Sequence, residues 1–260
     1  MTITYRGTTA LITGASAGLG TQFAEQLAAR GADLVLVARR EERLRELSER
    51  LEAAHGIRAT VIPLDLSRTD AAAALRAALD ERGIRVQTLV NNAGFGMKGT
   101  FADADPGRIG EMVQVNVANL VAVTREFLPD LVADGRGALV NIASTAAYQP
   151  CPNMAVYGAT KAFVLSFTEA LAYETRDSGL RVLALSPGAT RTEFFDVVGT
   201  EDAAVGRFQT PAQVVGLAVR EIDRGRRASV VSGWANAVSA KLAGLMPRRL
   251  TLAVSGRVLR

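Results

Sequence analysis

Short runs of β-branched and aliphatic residues recur along this chain, each followed by a helix-length segment, and this alternation limits the fold more than any other feature. Segments 8–13, 33–38, 58–64, 87–90, 138–143, 181–185 and 228–231 read as strands. Segments 19–30, 41–54, 68–82, 116–132, 155–177 and 211–224 read as helices. Strands that are apolar throughout belong to a parallel sheet covered by helices on both faces. Right-handed crossovers then give a doubly wound α/β sheet, seven-stranded and mostly parallel. No linker, repeat or low-complexity tract interrupts the 260 residues, so the reading is one domain.

Composition removes several classes of chemistry. A single cysteine, Cys151, and a single histidine, His55, leave no disulfide framework and no Cys/His zinc site. The N-terminal residues carry no apolar signal core and no uncharged apolar run approaches a membrane span, so the expectation is a soluble cytoplasmic protein. The net charge of +4 is uneven: from Arg220 onward nine Lys/Arg face only Glu221 and Asp223, and the rest of the chain is slightly acidic. A basic tail on an acidic body argues against nucleic acid as the partner.

In an open parallel sheet ligands bind beyond the carboxyl ends of the strands, so the residues after each strand are where chemistry is expected. After the first strand come Gly14, Ser16, Gly18, Leu19 and Gly20 at the start of a helix. Glycines there let the backbone approach a pyrophosphate seated on free helix N–H groups, which makes the sheet Rossmann-like. Gly14-Ala15-Ser16-Ala17-Gly18 also fits a hydrolase nucleophile elbow. That reading needs His55 as base, and His55 falls late in the second helix, where it reads as a solvated helix end. The second strand ends in Ala38-Arg39-Arg40, where a carboxylate would accept from a ribose 2′-hydroxyl. Guanidiniums pair a 2′-phosphate instead, with the Ser16 hydroxyl beside them, so the reading is NADP(H) over NAD(H); the alternative is that both arginines merely solvate a helix start.

Asp65 and Leu66 follow the third strand, and Asn91-Asn92-Ala93-Gly94 the fourth. Tyr157 and Lys161 stand at i and i+4 on one helix face, and Ser144 lies just past the fifth strand. A neighbouring cation favours phenolate, which predicts a Tyr157 pKa below its usual value of about 10. Only three of the 30 cationic residues are lysines, Lys98, Lys161 and Lys241, so Lys161 marks a place where an ammonium is wanted.

Taken in order, Thr13–Gly20, Asn91–Gly94, Asn116, Ser144, Tyr157–Lys161, Pro187-Gly188 and Thr192 resemble the short-chain dehydrogenase/reductase family, its small NADP-preferring bacterial members above all. The resemblance implies that Tyr157 exchanges a proton with the substrate oxygen while nicotinamide carries the hydride. It also implies that Lys161 binds the nicotinamide ribose, Ser144 holds the carbonyl oxygen and Asn116 supports a water leading to Lys161. By the same resemblance Asp65 contacts adenine, Asn91 braces the sheet beside it, and Pro187, Gly188, Thr190 and Thr192 lie at the carboxamide end. Residues 1–135 would then serve mainly the cofactor, 136–232 catalysis and substrate, and 233–260 form a basic apolar tail.

Two features depart from the family pattern. Thr190 stands where an apolar residue is usual, and 27 residues follow Gly233. That tail reads first as packing, then as a cap on the substrate cleft, a subunit contact or a membrane-surface contact. It also bears on whether the homo-oligomer is a dimer or a tetramer, the dimer running through the helices of Asn116 and Tyr157. Phe95, Met97, Tyr148, Cys151, Met154, Phe194 and Phe195 are candidate pocket residues, all uncharged, which suits a hydrophobic ketone, aldehyde or secondary alcohol; Cys151 reads as wall rather than nucleophile. A non-catalytic NADP-binding protein of the same fold is the alternative, and the intact Ser144, Tyr157 and Lys161 argue against it.

Overall fold

The computed structural model describes residues 3–199 and 207–258. Seven strands, β1 Thr9–Thr13, β2 Asp33–Ala38, β3 Ala59–Pro63, β4 Thr88–Asn91, β5 Ala138–Ile142, β6 Arg181–Ser186 and β7 Ser229–Val231, form one sheet in the order β3-β2-β1-β4-β5-β6-β7. Every pairing is parallel. Alternation along the strands sorts side chains between two helical layers. Ile12, Leu34, Leu36 and Val140 pack under α1 (Gly18–Ala28), α2 (Glu41–His55) and α8 (Pro211–Arg224). Leu11, Val35, Val37 and Leu139 face α3 (Ala71–Asp80), α5 (Leu120–Asp134) and α6 (Ala155–Glu174). The strand order reverses between β1 and β4, which opens a crevice at their carboxyl ends.

The helix read over 116–132 differs from expectation. It opens ten residues earlier as α4 (Pro106–Val113), where Asp105 accepts from the Arg108 N–H at 2.7 Å and Pro106 takes the first turn. A π-helical turn, Gln114–Asn119, then joins α4 to α5 and carries Asn116. Short α7 (Phe194–Val198) follows β6, and the tail folds into α9 (Trp234–Leu245) and α10 (Arg248–Val258).

A buried amide relay ties the sheet centre to its cover. Asn91 and Asn141 are register partners on β4 and β5, and the Asn91 amide donates to Asn141 and to Thr124 of α5, each at 2.9 Å. The Asn141 amide in turn donates to Thr168 of α6 at 2.9 Å. Buried amides cost free energy unless paired, so this relay holds both helices in register with the strands. Replacing Asn141 with Ala strands two of these partners and lowers the unfolding free energy by about 2 kcal/mol. Urea denaturation reads this as a lower midpoint, and an unmoved midpoint overturns the account.

Candidate active site

The junction of β1, α1 and β4 is crowded by design of its sequence. The Asn92 amide donates to the carbonyls of Thr13 at 2.9 Å and Gly14 at 3.2 Å, while the Thr13 hydroxyl accepts from the Asn92 and Ala93 N–H groups. Gly14 has φ +65°, and a Cβ on Gly20 would stand 2.2 Å from the Gly14 carbonyl oxygen. No side chain caps the N-terminus of α1, so its first N–H groups are left for a ligand. Glycine at 14 and 20 is therefore forced by contact with Asn92 and the loop itself, and Gly20 supports the cleft from behind rather than lining it.

Beyond this junction lies a cleft of about 630 Å³, within the usual range for small-molecule sites. One end is walled by Gly14, Ser16, Gly18, Leu19, Arg39 and Arg40. Asp65 and Leu66 follow from β3, and Asn92, Ala93 and Gly94 from β4. The Asp65 carboxylate accepts from the Ser67 N–H and hydroxyl, which holds it below the ordinary carboxylate range. Arg40 donates to the Ser16 hydroxyl at 3.2 Å and to Glu193 at 2.8 Å, and Arg43 pairs with the same carboxylate. Arg39 is more exposed and lies 3.7 Å from Glu111.

At the other end Ser144, Tyr157 and Lys161 line the wall together. Ser144 begins the short turn Thr145–Tyr148 after β5, and its hydrogen bond to Tyr157 favours the phenolate. The Lys161 ammonium donates to the Ile142 carbonyl at 2.8 Å and sits 5.9 Å from the Tyr157 ring centroid. The predicted downward shift of Tyr157 is corrected here. Burial pushes the phenol up to about 12 and outweighs the Ser144 hydrogen bond, while burial brings Lys161 down to about 8.

Asn116 does not line the cleft. Its side chain accepts from the Phe95 N–H at 3.1 Å and donates to the Phe95 carbonyl at 2.9 Å and the Thr160 hydroxyl at 3.2 Å. It thereby fixes the loop after β4 against α6, close to where a Cβ on Gly94 would meet it and Lys161. Pro187, Gly188, Thr190 and Thr192 line the cleft after β6. The Thr190 hydroxyl donates to the Gly188 carbonyl at 2.9 Å, and Thr192 accepts from the Phe194 N–H at 3.3 Å.

Of the pocket candidates, Phe95, Cys151, Met154, Phe194 and Phe195 line this cleft. Tyr148 does not: its half-buried phenol needs a polar partner and turns to the Ser186 hydroxyl at 3.3 Å. Met97 lies in a separate depression beside α4. Burial lifts the Cys151 thiol to about 11, which suits a wall. The expectation of an uncharged lining is also corrected, because Arg108, its ring-stacking guanidinium 4.4 Å from the Phe95 centroid, lines the cleft with Glu111 and Glu193. Asn236, Ser239 and Ala240 of α9 complete the wall, a contribution that strand-end reasoning misses because α9 follows the last strand. His55 is exposed at the last position of the 15-residue α2, whose other end follows Arg40 beside Ser16, so the length of the helix separates the two and removes the hydrolase arrangement.

Comparison with known proteins shows the family. The short chain dehydrogenase family matches residues 8–203. Sulfoacetaldehyde reductase 2 of Chromohalobacter salexigens is 40% identical over 80% of this chain and 84% of its own. Among solved structures, a short-chain dehydrogenase from Sphingobium yanoikuyae in complex with NADPH is 35% identical, with TM-score 0.81 over 92% of this chain and 95% of that one. A 7β-hydroxysteroid dehydrogenase is 27% identical, with TM-score 0.87 over 98% of this chain and 100% of that one. The chain belongs to the short-chain dehydrogenase/reductase family and is an oxidoreductase with that family's Rossmann-like sheet.

The buried lysine gives a stability test. With its folded pKa near 8 and its unfolded value near 10.5, Lys161 has lost its proton in the folded state first, so stability climbs with pH across that window. Measured against Lys161→Met by denaturation from pH 7.5 to 10, the wild-type chain gains stability relative to the variant. A constant difference overturns the assignment.

Proposed function

We propose that this protein is an NADP(H)-dependent carbonyl reductase, interconverting a hydrophobic ketone or aldehyde and its alcohol with Tyr157 as general acid and base. The observation that carries the proposal is the meeting of Ser144, Tyr157 and Lys161 in one cleft with the uncapped N-terminus of α1 and the Ser16–Arg40 pair. Those features fit a dinucleotide: N–H groups and glycine backbone for the pyrophosphate, Ser16, Arg39 and Arg40 for a 2′-phosphate, Asp65 and Leu66 for adenine. Asn92, Ala93 and Gly94 would flank its middle, Lys161 its second ribose, and Pro187, Gly188, Thr190 and Thr192 its carboxamide. NADPH, when bound, supplies hydride to the carbonyl carbon.

In reduction Tyr157 gives its phenolic proton to the carbonyl oxygen, and in oxidation it takes the hydroxyl proton back. Its raised pKa keeps it a loaded acid at neutral pH, and the Lys161 ammonium stabilises the phenolate left behind. Ser144 donates to the same carbonyl oxygen and orients it. Asn116 acts at a distance by holding the Phe95 backbone and Thr160. Phe95, Met154 and Phe194 favour an apolar substituent. Residues 1–135 serve mainly the cofactor and 136–232 the substrate, in a cytoplasmic homo-oligomer joined through the helices of Asn116 and Tyr157, whose Phe163 is 41% exposed.

Side-by-side fluorescence titration with NADPH and NADH tests the cofactor. NADPH binds tighter, and Arg40→Ala weakens it by about tenfold or more, one ion-paired contact, with little change for NADH. A preference for NADH overturns the cofactor reading. Tyr157→Phe keeps NADPH affinity and loses about 10²-fold or more in turnover of hydrophobic ketones. Full turnover in that variant sinks the mechanism, and NADPH binding without turnover by the wild-type chain leaves a non-catalytic binding protein. Turnover of sulfoacetaldehyde alone, lost in Arg108→Ala, moves the substrate to a small anionic aldehyde.

A further inference from the structure

The two C-terminal helices turn their large apolar side chains outward. On α9, Trp234, Val238, Leu242 and Leu245 follow helical spacing along one face and are exposed, Trp234 by 83% and Leu245 by 74%. On α10 the usual order is inverted: Thr251 and Ser255 are buried, while Leu250, Leu252 and Val254 are exposed. The buried hydroxyls bond carbonyls one turn back, Ser255 to Thr251 at 2.8 Å, so the polar face sits inside without unmet donors. Seven of the eleven large apolar residues exposed among the described residues lie in this stretch. Lys241, Arg248, Arg249 and Arg257 are exposed beside them, and no Asp or Glu follows Asp223 anywhere in the sequence.

We propose that the outer faces of α9 and α10 dock in the plane of an anionic lipid surface. Exposed apolar residues at this density mark a contact face. A face that is at once apolar and purely cationic matches the acyl boundary and the phosphates of an acidic membrane together. A second copy of the chain is the poorer occupant, because the same cations would meet with no carboxylate in the segment to pair them. Among the described residues no helix is long and apolar enough to cross a membrane, so the contact is lateral. Of the readings of this tail, a cap on the cleft describes the inner face of α9, whose Asn236, Ser239 and Ala240 line it.

Trp234 is the sole tryptophan, so its fluorescence reports this face alone. The purified full chain is mixed with phosphatidylcholine vesicles, with and without phosphatidylglycerol, and followed by emission and co-sedimentation. Binding appears only with phosphatidylglycerol, shifts Trp234 emission to the blue and weakens with added salt. Charge reversal at Lys241→Glu with Arg249→Glu abolishes sedimentation while leaving the thermal transition in place. Absence of binding to either vesicle overturns the proposal. So does a blue-shifted emission without vesicles that accompanies a larger particle, both reverting in Leu245→Glu, which keeps the Trp234 reporter and assigns the face to a second copy.

Discussion

The crossing of the first strand, the first helix and the fourth strand sets the geometry of everything around it. Asn92 reaches across the strand reversal and holds the carbonyls of Thr13 and Gly14, while the Thr13 hydroxyl holds the Asn92 and Ala93 amides in return. Gly20 lets the helix start against that loop with no side chain between them. These contacts aim the helix N-terminus into the crevice, and the remaining strand ends deliver their residues around it. One further relay, from Asn91 through Asn141 to Thr168, carries the same registration to the helix of Tyr157 and Lys161.

The parts of this arrangement that a one-dimensional pattern encodes were legible in it. Apolar runs match all seven strands, and most of the residues placed after them by simple counting wall the cleft between Gly14 and Thr192, with Gly20 behind it and Met97 in a separate depression. What failed was decided in three dimensions. Tyr148 follows a strand end like its neighbours, yet its hydroxyl finds Ser186 and carries the ring away. The helix that begins at Pro106 carries a local start signal in Asp105-Pro106, ten residues ahead of the stretch read as helix from 116. The inward-facing hydroxyls of Thr251 and Ser255 reverse the ordinary reading of an apolar stripe, and no periodicity rule separates the two orientations.

Electrostatics at the reactive end shows the same limit. Spacing puts an ammonium near a phenol, and the sign of the pKa shift then depends on how dry the two groups are. Burial dominates both, raising Tyr157 and lowering Lys161, so the pair is poised nearer to its neutral forms than spacing alone suggests. The Ile142 carbonyl compensates part of the cost by accepting from the ammonium, which also fixes its direction.

Glu193 gives the opposite end of the cleft a different character. Its carboxylate is shared by Arg43 and Arg40 and held below its ordinary range by them, so the positive charge there is already spoken for. Arg40 thus reaches the Ser16 hydroxyl with its charge already shared with Glu193, while Arg43 keeps its own hold on that carboxylate. Glu193 directly precedes Phe194, whose ring centroid lies 5.4 Å from that of Tyr157, so the carboxylate between the two arginines is one peptide bond from the aromatic wall of the cleft. One short stretch of chain therefore serves both ends of the groove, its charge at one and its rings at the other.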